Sequence, residues 1–144
     1  MESGVIPDSA LSTSSVGNPG YGKEMARLNS HAAWCTRGDI DLNAWIRVDL
    51  PDSVTVTGLI TQGRDYSSTY TTSFSVQYGN GTNWSEVVGK DGSPIVFQAN
   101  SDCCTPVTVY FPSPLQLRSF RILPVDWVTT SICIRFELLG CGAI

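Results

Sequence analysis

Bulky apolar side chains recur at every second position in three runs of this chain: Ile46, Val48 and Leu50; Phe74, Val76 and Tyr78; and Val107, Val109 and Phe111. A two-residue period places one side of an extended segment on a core and the other in solvent. Turn signals separate the runs: Pro51-Asp52, Gly79-Asn80-Gly81, residues 89–94, and Pro112 to Pro114, which the pattern reads as the end of a strand. No segment sustains a 3.6-residue period, and no repeat recurs at a solenoid or propeller spacing. Eight or so short strands with breaks at this density predict an all-β fold, an antiparallel sandwich or barrel.

The 144 residues suit one domain, 1–144, with room for a substantial core. A net charge of -4 argues against a nucleic-acid partner, which would call for a basic face. No apolar run reaches the roughly 20 residues that span a bilayer, so the chain reads as not transmembrane. Met1-Glu2-Ser3-Gly4 does not read as a signal peptide, which leaves a cytosolic chain or a mature or excised domain. The five cysteines, Cys35, Cys103, Cys104, Cys133 and Cys141, form no CxxC pair and no cluster with the single His31. Disulfides in an oxidising, extracellular compartment therefore fit better than zinc, and the odd count leaves one thiol over. Asn80-Gly81-Thr82 and Asn83-Trp84-Ser85 are both N-glycosylation sequons.

Nothing assembles a catalytic centre. His31 has no accompanying nucleophile or metal motif and reads as a loop residue. Asp39, Asp41, Asp52, Asp91 and Asp102 fall in turns, where Asp serves loop geometry. Asp39-Ile40-Asp41 faintly suggests a calcium loop but lacks the spacing of one. We expect no enzyme, no cofactor and no metal.

Motifs along nearly the whole chain resemble the discoidin domain, also called the coagulation factor V/VIII type C domain. They are residues 1–9, Ala26-Arg27-Leu28-Asn29, Ala33-Trp34, residues 45–50, residues 57–64, residues 73–78, Phe120-Arg121-Ile122-Leu123-Pro124, Trp127 and residues 134–141. The resemblance implies a jelly-roll-like β-barrel or sandwich of two antiparallel sheets, with loops at one end forming binding spikes. It implies an extracellular, non-catalytic recognition module, secreted or the ectodomain of a membrane protein. By similarity to discoidin domain receptors, Cys35 and Cys133 would form a disulfide. The family's terminal cysteine, here Cys141, pairs with one ahead of the first motif; its lack here would explain the odd count in a trimmed chain. Cys103-Cys104 matches no motif, and a vicinal disulfide, two free thiols and an intermolecular bridge are the options.

The three expected spikes are residues 14–24, 31–43 and 63–72. Their candidate ligand-binding residues are Tyr21, Lys23, Trp34, Arg37, Arg64, Asp65, Tyr66 and Tyr70. Tyr66 and Tyr70 sit in a Ser/Thr loop and should be exposed. Trp34, Trp45, Trp84 and Trp127 fit core or loop-anchoring positions better than ligand contact. Arg64 is read equally as a ligand contact and as the partner of Asp65; Arg135 and Glu137 are expected to form a mutual or cross-strand ion pair. The expected partner is a cell-surface glycan or an anionic lipid head group. Alternatives are collagen or another extracellular protein, and service as the accessory carbohydrate-binding domain of a larger enzyme. The tyrosines and mixed charges favour glycan or protein over a greasy, basic membrane anchor.

Overall fold

Strands account for nearly all the regular structure. The computed structural model describes residues 6–141, the last of them by its backbone alone; the opening motif at residues 1–5 and the thiol of Cys141 lie outside the described residues. Eight strands appear within them: β1 (Leu11–Thr13), β2 (Trp34–Arg37), β3 (Ile46–Gln62), β4 (Thr71–Gly79), β5 (Trp84–Glu86), β6 (Phe97–Gln98), β7 (Val107–Trp127) and β8 (Ser131–Cys141). Single 3₁₀ turns cover Asp8–Ala10 and Lys23–Met25.

All strand pairing is antiparallel, in the order β2-β8-β3-β7-β4-β5, with β1 on β3 and β6 on β4. The architecture is the expected all-β sandwich. Two strands are much longer than the sequence pattern suggested: β3 runs through Pro51 and β7 through Pro112 and Pro114. Register explains why these prolines do not end them. The β3–β7 pairing lapses between Asp49 and Val54, and again where Tyr110 pairs with Gly58 but Leu115 with Val56. The exposed prolines occupy these gaps, where no ladder hydrogen bond needs their missing N–H. The long strands bend there and wrap the core.

That core follows the two-residue alternation. Ile46, Val48 and Leu50 are buried while Arg47 and Asp49 point outward and pair through two 2.8 Å hydrogen bonds. Phe74, Phe97, Phe111 and Phe120 form a continuous aromatic row, with successive ring centroids 5.6, 5.8 and 6.3 Å apart. Strand β4 defines two ends of the molecule. Thr71 pairs with Trp127 at one end; Gly79, beside Ser119 and Trp84, marks the other.

Candidate functional site

At the Thr71 end, residues 14–24, 38–45, 63–70 and 128–130 are tied together mainly through backbone groups. The Gly17 amide donates to the Cys35 carbonyl and the Cys35 amide to that of Tyr21. The Gly38 amide donates to Thr130, the Val128 amide to Tyr70, and the Asp65 amide to Ala32. Asp41 links the first two loops, its Oδ2 accepting from the hydroxyls of Ser14 and Ser15 at 2.6 Å each. Partial burial pushes the Asp41 pKa up, but hydrogen bonds from Ser14, Ser15 and the Asn43 amide outweigh it and hold the value below the usual carboxylate range. The three expected spikes do converge.

Beneath them lies the Cys35–Cys133 disulfide, whose two residues are direct cross-strand partners of β2 and β8. Tyr21 packs on the small buried cluster of Ala33, Cys35 and Cys133. The Arg64 guanidinium in turn lies over the Tyr21 ring, 5.3 Å from its centroid. A covalent staple thus supports an aromatic ring, and the ring supports a cation at the surface.

Arg135 fixes the base of the third loop. Fully buried at the end of the β3–β8 pairing, it donates to the carbonyls of Gly63 (2.7 Å), Ser30 (2.6 Å) and Cys103 (3.1 Å). Burial holds its pKa below the usual arginine value, an effect that the carboxylate of Asp65 offsets only in part. In place of a mutual ion pair with Glu137, Arg135 makes a three-carbonyl clamp, because three loop backbones meet where that guanidinium is buried. Cys103 and Cys104 form a vicinal disulfide in one of those loops. The Cys104 carbonyl accepts from Gln62 at 2.9 Å, and Asp102 caps the loop's turn. A Cys104 sulfur lies 3.6 Å from Asp65 Oδ1, a contact and not a hydrogen bond, since a disulfide sulfur carries no proton.

The individual candidates separate sharply. Tyr66 is 93% exposed, in a left-handed conformation (φ 52°) that presents it at the loop tip. Arg64 and Asp65 are half-buried neighbours, and no ion pair joins them among the described residues. Tyr70, expected at the surface, is half-buried: its carbonyl holds Val128 and its Cβ packs so closely on Gly63 that an added methyl there would lie 2.6 Å away. Trp34 cannot contact a ligand, being fully buried with its indole N–H bonded to the Ser15 carbonyl at 2.9 Å. It anchors the first loop from inside. Lys23 turns its ammonium to the Leu11 carbonyl at 3.0 Å, and Arg37 is held by Asp39 through two bonds. With Asp39 so engaged and Asp41 holding two serines, the suggested calcium loop is spent on side-chain pairing; no cluster of three metal-ligating groups occurs among the described residues.

Sequence reasoning missed the most exposed aliphatic groups at this end. Ile40 and Leu42 are 70% and 74% exposed on the second loop. Their signal was two bulky aliphatics alternating with Asp39 and Asp41 in a stretch too short and polar to be a core strand. Gly38 lets that loop close on Trp127, whose indole nitrogen would lie 2.5 Å from a Cβ at residue 38.

The chain is thus a β-sandwich with one end built of converging loops above a cross-strand disulfide. The F5/8 type C domain model matches residues 10–138, and the chain belongs to that family. It is 35% identical to neuropilin-1 of Homo sapiens over 98% of its length, and 32% identical to hemocytin of Bombyx mori over 95%. It spans only 16% and 4% of those proteins. Among solved structures, discoidin II of Dictyostelium discoideum superimposes with a TM-score of 0.79 at 24% identity, covering 93% of this chain and 55% of that one.

Proposed function

We propose that this is an extracellular, non-catalytic recognition module whose loop end docks on a membrane surface and takes an anionic lipid head group. The observation that carries this reading is the pair Ile40 and Leu42, both more than two-thirds exposed on one loop of an end that also presents Tyr66. Burying two such side chains in an apolar layer is worth about 1.5–3 kcal/mol each, enough for reversible attachment. A tyrosine at the boundary suits the interface, apolar ring inward and hydroxyl outward. Arg64, stacked on Tyr21 and without a carboxylate partner among the described residues, is the cation best placed to meet a phosphate or carboxylate. Arg37 contributes less, because Asp39 already neutralises it. The Cys35–Cys133 disulfide supports an extracellular setting.

A second reading is supported by Tyr66 alone. A tyrosine 93% exposed at a loop tip is also suited to stacking on a sugar. Sedimentation with liposomes containing or lacking phosphatidylserine, run beside a glycan array, separates the two. Membrane docking predicts co-sedimentation that requires the anionic lipid. Glycan binding with no liposome binding would reverse the order of the readings.

A further inference from the structure

The opposite end of the sandwich carries a feature that the loop end does not explain. A cleft of about 320 Å³ lies between the β4–β5 hairpin and β7, lined chiefly by Tyr78, Asn80, Asn83, Ser85, Gln116 and Arg118. Its walls are mainly apolar surface, including Leu117, with the amides of Asn80, Asn83 and Gln116, the Tyr78 phenol and the Arg118 guanidinium set among it, a mixture that can take a sugar's apolar face and hydrogen bond its hydroxyls and acetamide. Both sequons run along its rim. Strand β5, three residues long, is the last in the sheet order, so this rim is also an uncovered sheet edge.

The two sequons are not equivalent. Asn80 sits exposed at the hairpin turn, where its Oδ1 accepts from the Thr82 amide (3.4 Å), the Thr82 hydroxyl (3.3 Å) and the Asn83 amide (3.3 Å). Each of these bonds uses Oδ1; none engages Nδ2, the atom that takes a glycan. Gly81, at φ 107°, leaves the middle of this sequon without a side chain. Asn83, also exposed, instead immediately precedes β5. Its backbone presses on Gly79, where an added Cβ would lie 1.9 Å from the Asn83 carbonyl oxygen. The middle residue of its sequon, Trp84, is held under Arg121 and Arg47, 4.1 and 4.8 Å from the ring centroid.

We infer that Asn80 carries an N-linked glycan whose first N-acetylglucosamine seats in this cleft and covers the β5 edge. In the attachment step Asn80 Nδ2 bonds to C1 of the sugar and gives up one proton. The bond from C1 to the diphosphate of a lipid-linked oligosaccharide donor breaks, and the diphosphate leaves with its electron pair. The glycan then stands at the far end from Ile40, Arg64 and Tyr66 and leaves the docking loops clear.

The inference rests on the extracellular reading, because the donor is met along the secretory route. The test supplies that route: the chain is expressed behind a secretory leader in eukaryotic cells and mapped by peptide mass before and after peptide N-glycosidase. The Asn80 peptide should carry the glycan. Thr82→Ala, which removes one exposed hydroxyl and leaves the two amide hydrogen bonds to Asn80 in place, should abolish it; Thr82→Ser and Asn83→Gln should retain it. Hydroxyl-radical footprinting of Tyr78 should be severalfold weaker in the glycosylated protein than after deglycosylation. A glycan on Asn83 instead, no glycan, or equal labelling of Tyr78 overturns the inference. None of these results bears on liposome docking, and failed docking would leave the Asn80 result standing.

Discussion

Single residues determine whether the loop end keeps its shape, and Arg135 is the most demanding of them. Its guanidinium satisfies three carbonyls from three separate loops. Arg135→Met would leave those acceptors without their donor, at about 1–3 kcal/mol for each that stays buried, so a loss of at least ~3 kcal/mol is expected in urea denaturation. An unchanged midpoint would mean that water replaces the guanidinium at no cost. Gly38 is constrained by space and not by backbone conformation: Gly38→Ala drives a methyl into the Trp127 indole and should cost about 1–3 kcal/mol, measurable by the same titration, as one loop or the other gives way. The sequence placed Tyr66 and Trp34 in their general environments, an exposed loop tip and an anchoring position. It did not reveal the partners of Arg135, because backbone carbonyls leave no mark in a sequence and three loops must fold before they meet. Ile40 and Leu42 were passed over for the opposite reason. Their Asp neighbours made the segment look uniformly polar, although polar flanks are what keep such a tip out of the core.

Elements couple these residues to one another. Strands β2 and β8 meet at Cys35–Cys133, a bridge spanning 98 residues of sequence, and Tyr21 and Arg64 are stacked above it. Replacing both cysteines by Ala should remove up to ~4–5 kcal/mol of stability in the chain-entropy model, read from the denaturation midpoint. The first and second loops are joined by Asp41, whose native pKa is depressed. A depressed carboxylate stabilises the fold above its unfolded pKa of about 4, and that contribution is lost as the pH falls through the lower native value. Protection of the amides in residues 14–17 and 38–43, taken relative to the intrinsic exchange rate at each pH, should therefore fall below about pH 4, and Asp41→Asn should lower it at neutral pH. Protection insensitive to both changes would show that Asp41 does not hold the loops. The strand pattern was legible because alternation records burial directly. The lengths of β3 and β7 were not, since a proline that falls in a register gap looks, in sequence, like one that ends a strand.

The whole molecule has two unlike ends on one rigid sandwich. One gathers three loops, a braced cation and exposed apolar tips; the other holds a cleft bordered by a sequon. This polarity would let a module that makes up a small part of its relatives' length face a surface with one end while the other stays in solvent. Family motifs spread over the chain made the fold and the position of the loop end readable, whereas the ligand depends on which side chains project from the tips. The central claim is that Ile40 and Leu42 attach the loop end to an anionic membrane. Its most direct test is co-sedimentation of Ile40→Ser/Leu42→Ser with phosphatidylserine liposomes, in a protein whose denaturation midpoint is first shown to be unchanged. Losing two buried aliphatic groups should weaken binding at least ~tenfold. Binding equal to that of the unaltered chain would contradict the claim.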